Sequence, residues 1–126
     1  MMLRVVPIYA ALLALLFLVL SIRVIRIRSA ERISVGAGRS KVLERRMRVQ
    51  ANFAEYVPFT LLLLAMAELR GAATLLIHAL CVVLLTGRIA HAWGMSPEHE
   101  NLRLRVAGMA GTFASIVGGA VLIAAT

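Results

Sequence analysis

The chain has 126 residues, of which 61% are hydrophobic and only 16% are charged. This composition excludes a disordered chain, a collagen-like chain and an ordinary water-soluble enzyme, whose apolar residues make up about 45–50% with glycine included. The net charge of +8 would suggest nucleic acid in a soluble protein, so the basic residues must first be placed relative to a membrane. The single Cys81 excludes an internal disulfide and a cysteine-based metal cluster.

Four long stretches carry almost no charge, and each can reach the roughly 20 residues that a helix needs to cross a bilayer. A backbone in lipid must satisfy its own hydrogen bonds, so the stretches are predicted to be helices. In chain order they cover about residues 4–28, 40–69, 71–95 and 101–125. The first lacks the cleavage site of a signal peptide, and we expect it to be retained. We predict one domain over residues 1–126, an all-α membrane protein with four transmembrane helices in an antiparallel bundle.

The distribution of Lys and Arg predicts the orientation of these helices, because cytoplasmic loops are enriched in basic residues. Nine of the 14 lie in residues 22–48 and three in residues 86–105, so 12 of them flank loops 1 and 3. The other two are Arg4 and Arg70. We expect loops 1 and 3 in the cytoplasm and both termini outside. Most of these basic residues then set the topology and contact lipid headgroups.

Predicted helix 2 carries polar residues that enter the membrane. Arg48, Asn52, Glu55 and Tyr56 are spaced i, i+4, i+7 and i+8, which places them on one helical face. A carboxylate such as Glu55 is unfavourable in a membrane helix and by default marks a function or a specific partner. The structural alternative is a bridge from Arg48 to Glu55 through Asn52 that ties helices together.

Every predicted helix also brings an arginine to the layer near loops 1 and 3. These arginines are Arg23, Arg48, Arg88, and Arg103 or Arg105. His91 shares a face with Arg88, although a lone histidine is more often structural than a ligand. Such a positive layer favours an anion, and the planar fork of arginine suits carboxylates. Since Glu55 could hold an ammonium group, a small, acidic, zwitterionic ligand fits. A nearby arginine would also favour a thiolate.

The segment Glu44–Pro58 resembles a known motif. The MAPEG family, membrane-associated proteins in eicosanoid and glutathione metabolism that include microsomal glutathione transferases, has a helix 2 motif of the form E-R-x-x-R-x-Q-x-N-x-x-E-Y-x-P. Residues 44–58 match it at every fixed position. The run Gly87-Arg88-x-x-His91-x-x-Gly94 is similar to a bacterial inner-membrane branch. The resemblance therefore implies an integral protein of a bacterial inner membrane.

The resemblance also implies a homotrimer of four-helix bundles, with glutathione held between neighbouring subunits. Glu55 would bind its γ-glutamyl amino group, and Arg48 and Asn52 would bind carboxylate or peptide groups. The full set that we expect to bind glutathione is Arg23, Arg48, Gln50, Asn52, Glu55, Tyr56, Arg88 and His91. The helix 4 arginine that activates the thiol corresponds best to Arg103, with Arg105 as the alternative.

The function that the resemblance implies is conjugation of the glutathione thiolate to lipophilic electrophiles that enter from the bilayer. Glutathione is then a co-substrate, and we expect neither a metal nor a nucleic-acid partner. One alternative is a glutathione- or anion-binding structural membrane protein without transferase activity, because His91 and Met95 stand where eukaryotic members have tyrosines. A small multidrug transporter is less favoured, because such exporters carry an acid in helix 1 and this helix has none.

Several other residues are predicted to be structural. Small residues at every third or fourth position of helix 4 allow close helix contact in lipid. They are Gly108, Gly111, Ala114, Ser115, Gly118 and Gly119. We expect Cys81 in the core and His78 in a contact between helices. Glu68, at the end of helix 2 beside Arg70, is predicted to be solvated.

Overall fold

The computed structural model describes residues 2–126, and its four regular elements in that range are all α-helices. They are α1 (Val6–Glu31), α2 (Lys41–Leu69), α3 (Thr74–Met95) and α4 (Leu102–Ala125). All four are long and apolar enough to cross a membrane. The prediction of an all-α membrane protein with four spanning helices is therefore confirmed.

The first helix ends three residues later than predicted, at Glu31. Its C-cap residue, Arg32, has a φ of 56°, a left-handed conformation that stops the helix. The Arg28 guanidinium donates hydrogen bonds to the carbonyl oxygens of Ile33 at 3.2 Å and Gly36 at 2.8 Å. The loop after α1 is thus folded back onto the last helical turn.

The other helices begin with recognisable local signals. The Ser40 hydroxyl accepts a hydrogen bond from the Leu43 amide at 3.1 Å and caps α2. The Asn101 side chain accepts one from the Leu104 amide at 3.2 Å and caps α4. Helix α3 starts three residues later than predicted, because Gly71 adopts a φ of 88° in the turn before it.

Helices α3 and α4 pack most extensively, whereas α1 and α4 do not touch within residues 2–126 and lie diagonally across the bundle. Glycines bring α3 and α4 together. A Cβ atom on Gly108 would overlap the carbonyl oxygen of Gly87 and lie 2.6 Å from the His91 amide. A Cβ on Gly94 would lie 2.6 Å from the Arg105 amide. The small residues of α4 therefore do permit close helix contact, as the sequence predicts.

Glu68 is partly exposed, and in addition it caps the first turn of α1, which the sequence does not predict. Its Oε1 accepts hydrogen bonds from the backbone amides of Arg4 at 2.7 Å and Val5 at 2.6 Å, and its Oε2 accepts one from Val6 at 2.9 Å. The first amides of a helix lack partners within the helix and carry partial positive charge. Since α1 has no side-chain cap of its own, the carboxylate of α2 satisfies them.

The two other residues expected to be structural lie where the sequence predicts. The Tyr9 hydroxyl of α1 is 3.0 Å from Nδ1 of His78 in α3, and the rings meet edge to face. Cys81 is fully buried in the core. Together with Glu68, the contact between Tyr9 and His78 holds α1 in place at the end of the bundle opposite loops 1 and 3.

We predict that Glu68→Ala lowers the free energy of unfolding by about 2 kcal/mol, because three amides lose a charged acceptor. Glu68→Gln, which keeps one carbonyl oxygen, should cost less than Glu68→Ala. The measurement is unfolding in mixed detergent micelles. Glu98→Gln, an exposed carboxylate in the α3–α4 loop, is the control. Equal stability of Glu68→Ala and the parent would contradict the capping role.

Candidate functional site

A polar pocket of about 290 Å³ opens between α2, α3 and α4, toward the end of the bundle that carries loops 32–40 and 96–101. We call this end the arginine-rich end. The lining residues of the polar pocket are Arg48, Ala51, Asn52, Glu55, His91, Met95, Arg105 and Met109. A second hollow of about 440 Å³ lies alongside it and shares Arg48, Met95 and Arg105 with it. The pocket thus has a polar approach from the loops.

Helix α2 supplies one wall of the polar pocket through three successive turns. Arg48, Asn52 and Glu55 all line it, as their spacing predicts. Arg48 and Glu55 are exposed, and neither side chain hydrogen-bonds to another residue within 2–126. The alternative of a bridge through Asn52 is therefore not formed. An unpaired cation and an unpaired anion stand on the same wall, two turns apart.

Arg88 lies behind this wall and is only 1% exposed. One of its terminal nitrogens donates a hydrogen bond to Asn52 Oδ1 at 2.6 Å, and the other donates to Thr112 Oγ1 at 3.3 Å. Its guanidinium also sits 5.9 Å from the centre of the Phe53 ring, within cation–π range. No carboxylate among residues 2–126 forms an ion pair with it. A buried cation without an acid makes the region favourable for an anion.

The contact with Arg88 also orients the amide of Asn52. A guanidinium only donates hydrogen bonds, so it fixes Oδ1 of Asn52 as the atom that accepts. The amide nitrogen of Asn52 is then left to donate to an acceptor in the pocket. Arg88 therefore contacts Asn52 from behind the pocket wall and does not line the polar pocket itself. Its contact with glutathione stays a prediction.

His91 lies one turn beyond Arg88 on α3, is 1% exposed and lines the polar pocket. Its Nδ1 is 3.5 Å from a terminal nitrogen of Arg88, the outer limit of a hydrogen bond. Because arginine can only donate, a hydrogen bond between the two would require Nδ1 of His91 to accept. His91 is thus both part of the core and part of the pocket wall.

Of the two helix 4 arginines, Arg105 reaches the polar pocket of its own chain and Arg103 does not. Arg103 is exposed and lines a shallow hollow on another face of α4. Residues two apart on a helix point roughly 200° apart, so the two cannot share one face. The preference for Arg103 is therefore not supported within one chain. A role for Arg103 stays a prediction that needs a neighbouring subunit.

Glu100 links two arginines at the mouth of the site. It accepts a hydrogen bond from Arg45 at 2.9 Å and two from Arg105 at 3.1 Å. The hydrogen bond from Arg45 holds the pKa of the Glu100 carboxyl below its usual value, and the charge of Arg105 adds to this. Glu100 thus ties the start of α2 to the start of α4 and restrains the guanidinium of Arg105.

Besides Arg88, three residues of the predicted set do not line the polar pocket of their own chain. Gln50 donates to the Ser21 hydroxyl at 2.9 Å and joins α2 to α1. Tyr56 packs its ring edge to face on Phe113 of α4. Arg23 lies in a different groove, between α1 and α3. Arg23 is on α1, which contributes no residue to the polar pocket. Gln50 faces α1, and Tyr56 lies at the edge of the α2 face that lines the pocket and turns toward α4.

Sequence reasoning missed several features of the site, and the spacing contained a signal for one of them. Met109 follows Arg105 by four residues and shares its face, as the helical repeat allows. The resemblance identifies Met95 only as a residue that replaces a tyrosine, whereas in the structure it lines the polar pocket. The clamp made by Glu100 joins segments 55 residues apart, and no local pattern predicts it.

A model of the MAPEG family matches residues 6–125. The chain belongs to the MAPEG family. It is 35% identical over 109 residues to inner membrane protein YecN of Escherichia coli K12, covering 86% of this chain and 82% of that protein. The YecN protein of Escherichia coli O6:H1 matches to the same extent. Four apolar helices and an inner-membrane relative together support an integral inner membrane protein.

We predict that acid releases the Glu100 clamp. Because the pKa of Glu100 is lower in the folded than in the unfolded state, the clamp stabilises the fold fully above the unfolded value of about 4.3. This contribution is lost as the pH falls through the folded pKa. In the parent, the melting temperature should therefore fall more steeply below about pH 4.3 than in Glu100→Gln.

Thermal unfolding in detergent at a series of pH values measures this difference. Glu98→Gln removes an exposed acid from the same loop and should keep the slope of the parent. Parallel slopes in the parent and Glu100→Gln would contradict the clamp.

Proposed function

We propose that this protein is a membrane glutathione transferase that conjugates the glutathione thiolate to lipophilic electrophiles from the bilayer. The observation that carries the proposal is the α2 wall of the polar pocket, where Arg48 and Glu55 stand unpaired on either side of Asn52. Glutathione offers the complementary groups, which are two carboxylates and an ammonium. Membership of the MAPEG family supports the same class of function.

Each group of glutathione has a partner of suitable chemistry in this pocket. The Glu55 carboxylate would accept from the γ-glutamyl ammonium. Arg48 would bind a carboxylate through two parallel hydrogen bonds. The free amide nitrogen of Asn52 would donate to a carboxylate or peptide oxygen. The buried charge of Arg88, which no acid of the described residues neutralises, would favour the net negative ligand.

Arg105 is the residue of this chain that we propose stabilises the thiolate. It lines the polar pocket from α4, and Glu100 restrains its guanidinium. A nearby cation favours the thiolate over the thiol, and the thiolate is the nucleophile. The thiolate sulfur then forms a bond to the electrophilic carbon. In a displacement, the bond from that carbon to the leaving group breaks, and its electron pair departs with the leaving group. In an addition to a double bond, the displaced π electrons take up a proton.

A homotrimer would complete the site. Arg48 and Glu55 are exposed on a single chain, so a neighbouring subunit could cover them. The family resemblance implies that glutathione lies between subunits. Gln50 and Arg23 lie away from the pocket of their own chain. They would therefore contact glutathione that is bound at the pocket of a neighbouring subunit. Tyr56 would act through its packing on Phe113.

A second candidate function is glutathione or anion binding without transferase chemistry. It is favoured by His91 and Met95, which line the polar pocket from α3 in place of the tyrosines of eukaryotic relatives. This candidate would be favoured if glutathione binds but shows neither thiolate absorbance nor conjugation to any electrophile.

We predict that Arg48→Ala and Glu55→Gln each weaken glutathione binding by roughly 30-fold or more. Loss of one partner of a charged contact costs about 2–5 kcal/mol of binding, and each 1.4 kcal/mol is about tenfold. Calorimetry on the purified protein measures the affinity, and native mass spectrometry checks that the oligomer survives. Arg26→Ala, an exposed arginine outside the pocket, is the matched control. Unchanged binding in both site variants would refute the assignment.

We further predict that Arg105→Ala lowers the fraction of bound glutathione present as thiolate at neutral pH, with a smaller loss of affinity than Arg48→Ala. The physical reason is the loss of the pocket's cation on α4. Thiolate absorbance in the ultraviolet measures the fraction. Arg103→Ala is the control and should behave like the parent. If Arg103→Ala lowers the thiolate fraction and Arg105→Ala does not, then Arg103 of a neighbouring subunit stabilises the thiolate.

A further inference from the structure

The second hollow at the arginine-rich end is larger than the polar pocket that it adjoins and carries more charged side chains. Its volume is about 440 Å³, against about 290 Å³ for the polar pocket. Four basic residues, two acidic residues and one methionine line it: Lys41, Glu44, Arg45, Arg48, Met95, Glu100 and Arg105. The hollow therefore has an excess of positive charge, which raises the local concentration of anions.

Helix α2 connects the second hollow to the polar pocket through one row of side chains. Lys41, Arg45 and Arg48 line the hollow, and Arg48 and Asn52 line the pocket. Successive members of the row are four, three and four residues apart, which keeps them on one helical face. The row extends about 16 Å along the helix axis. Since every member has a side-chain nitrogen that can donate, an acidic ligand meets a donor at each turn.

The outer end of this row is free to bind a ligand. Lys41 is exposed and forms no ion pair with any residue in 2–126. It is the first residue of α2, where the positive end of the helix dipole disfavours a cation. The stability of the helix therefore does not explain a lysine at this position. Arg45 contacts Glu100 and the Met95 carbonyl oxygen through one terminal nitrogen, which leaves its other terminal nitrogen available.

We propose that the second hollow is a capture site for glutathione. A carboxylate of glutathone arriving from the aqueous phase binds first to Lys41 and Arg45, and the ligand then moves along the row to Arg48 and Asn52. Lys41 lies outside the polar pocket, so it acts on the rate of binding more than on the affinity of the seated ligand. This inference rests on the proposed function, because it concerns how glutathione reaches the polar pocket.

The test measures rates of binding and needs no catalysis. The full-length protein is placed in phosphatidylcholine nanodiscs at low salt, and relaxation-dispersion NMR of ¹³C-labelled glutathione gives its association and dissociation rates. Lys41→Gln should lower the association rate about threefold, and Lys41→Glu about tenfold, because they remove or reverse one charge on the approach. The dissociation rate should not rise. Lys41→Arg, which keeps the charge, should match the parent.

Two further variants separate the hollow from the general charge of the loop end. Glu44→Gln removes an acid from the lining of the hollow and should raise the association rate about threefold. Arg39→Gln removes an exposed basic residue two positions before Lys41 and outside the lining, and it should match the parent. At about 1 M salt, where charges are screened beyond about 3 Å, these differences should disappear.

Three results would overturn the capture site and leave the proposed function in place. Glutathione could bind with the same association rate in Lys41→Gln and Lys41→Glu as in the parent. Arg39→Gln could slow association as much as Lys41→Gln, which would show that the charge acts diffusely. Lys41→Gln could dissociate faster with unchanged association, which would place Lys41 against the seated ligand. A parent protein that does not bind glutathione at all would instead refute the proposed function, and the capture site with it.

Discussion

The structure depends on one constraint: a guanidinium is buried between membrane helices with no acid to pair with it, so its hydrogen bonds must be satisfied by other groups. Arg88 meets it with a hydrogen bond to Asn52 of α2, another to Thr112 of α4 and a contact with the face of Phe53. These contacts join three helices at one point. They satisfy the hydrogen-bonding atoms in part but leave the positive charge, and a positive charge beside a pocket favours an anion in it.

The close packing of the helices makes this arrangement possible. Glycines at 87 and 108 let the backbones of α3 and α4 approach to a distance that a Cβ atom would prevent. Arg88 can then reach Thr112, which sits one turn beyond Gly108 on the facing helix. At the opposite end of the bundle, Glu68 holds the first turn of α1. The small residues of α4 therefore serve the site as well as the fold.

The sequence predicts the parts of this molecule that follow from local periodicity. Uncharged stretches gave four spanning helices, and the spacing of Arg48, Asn52 and Glu55 gave one wall of the polar pocket. The partner of Asn52, the choice between the helix 4 arginines and the role of Glu68 depend on which helices face each other. That information lies in contacts between distant segments, so no pattern within one helix contains it. The sequence alone gives the helical angle between Arg103 and Arg105. That angle decides which of the two lines the polar pocket only once the helices that pack against α4 are known.

The most direct test of the central claim is the Asn52→Asp variant, with stability and glutathione affinity measured on the same preparation. The new carboxylate would pair with Arg88 and neutralise the buried charge. Our account predicts opposite signs, so that the variant unfolds at a higher temperature but binds glutathione more weakly. Asn52→Ala should lower both quantities. If Asn52→Asp leaves affinity unchanged, or loses stability together with affinity, the buried charge of Arg88 is not what prepares the pocket for an anion.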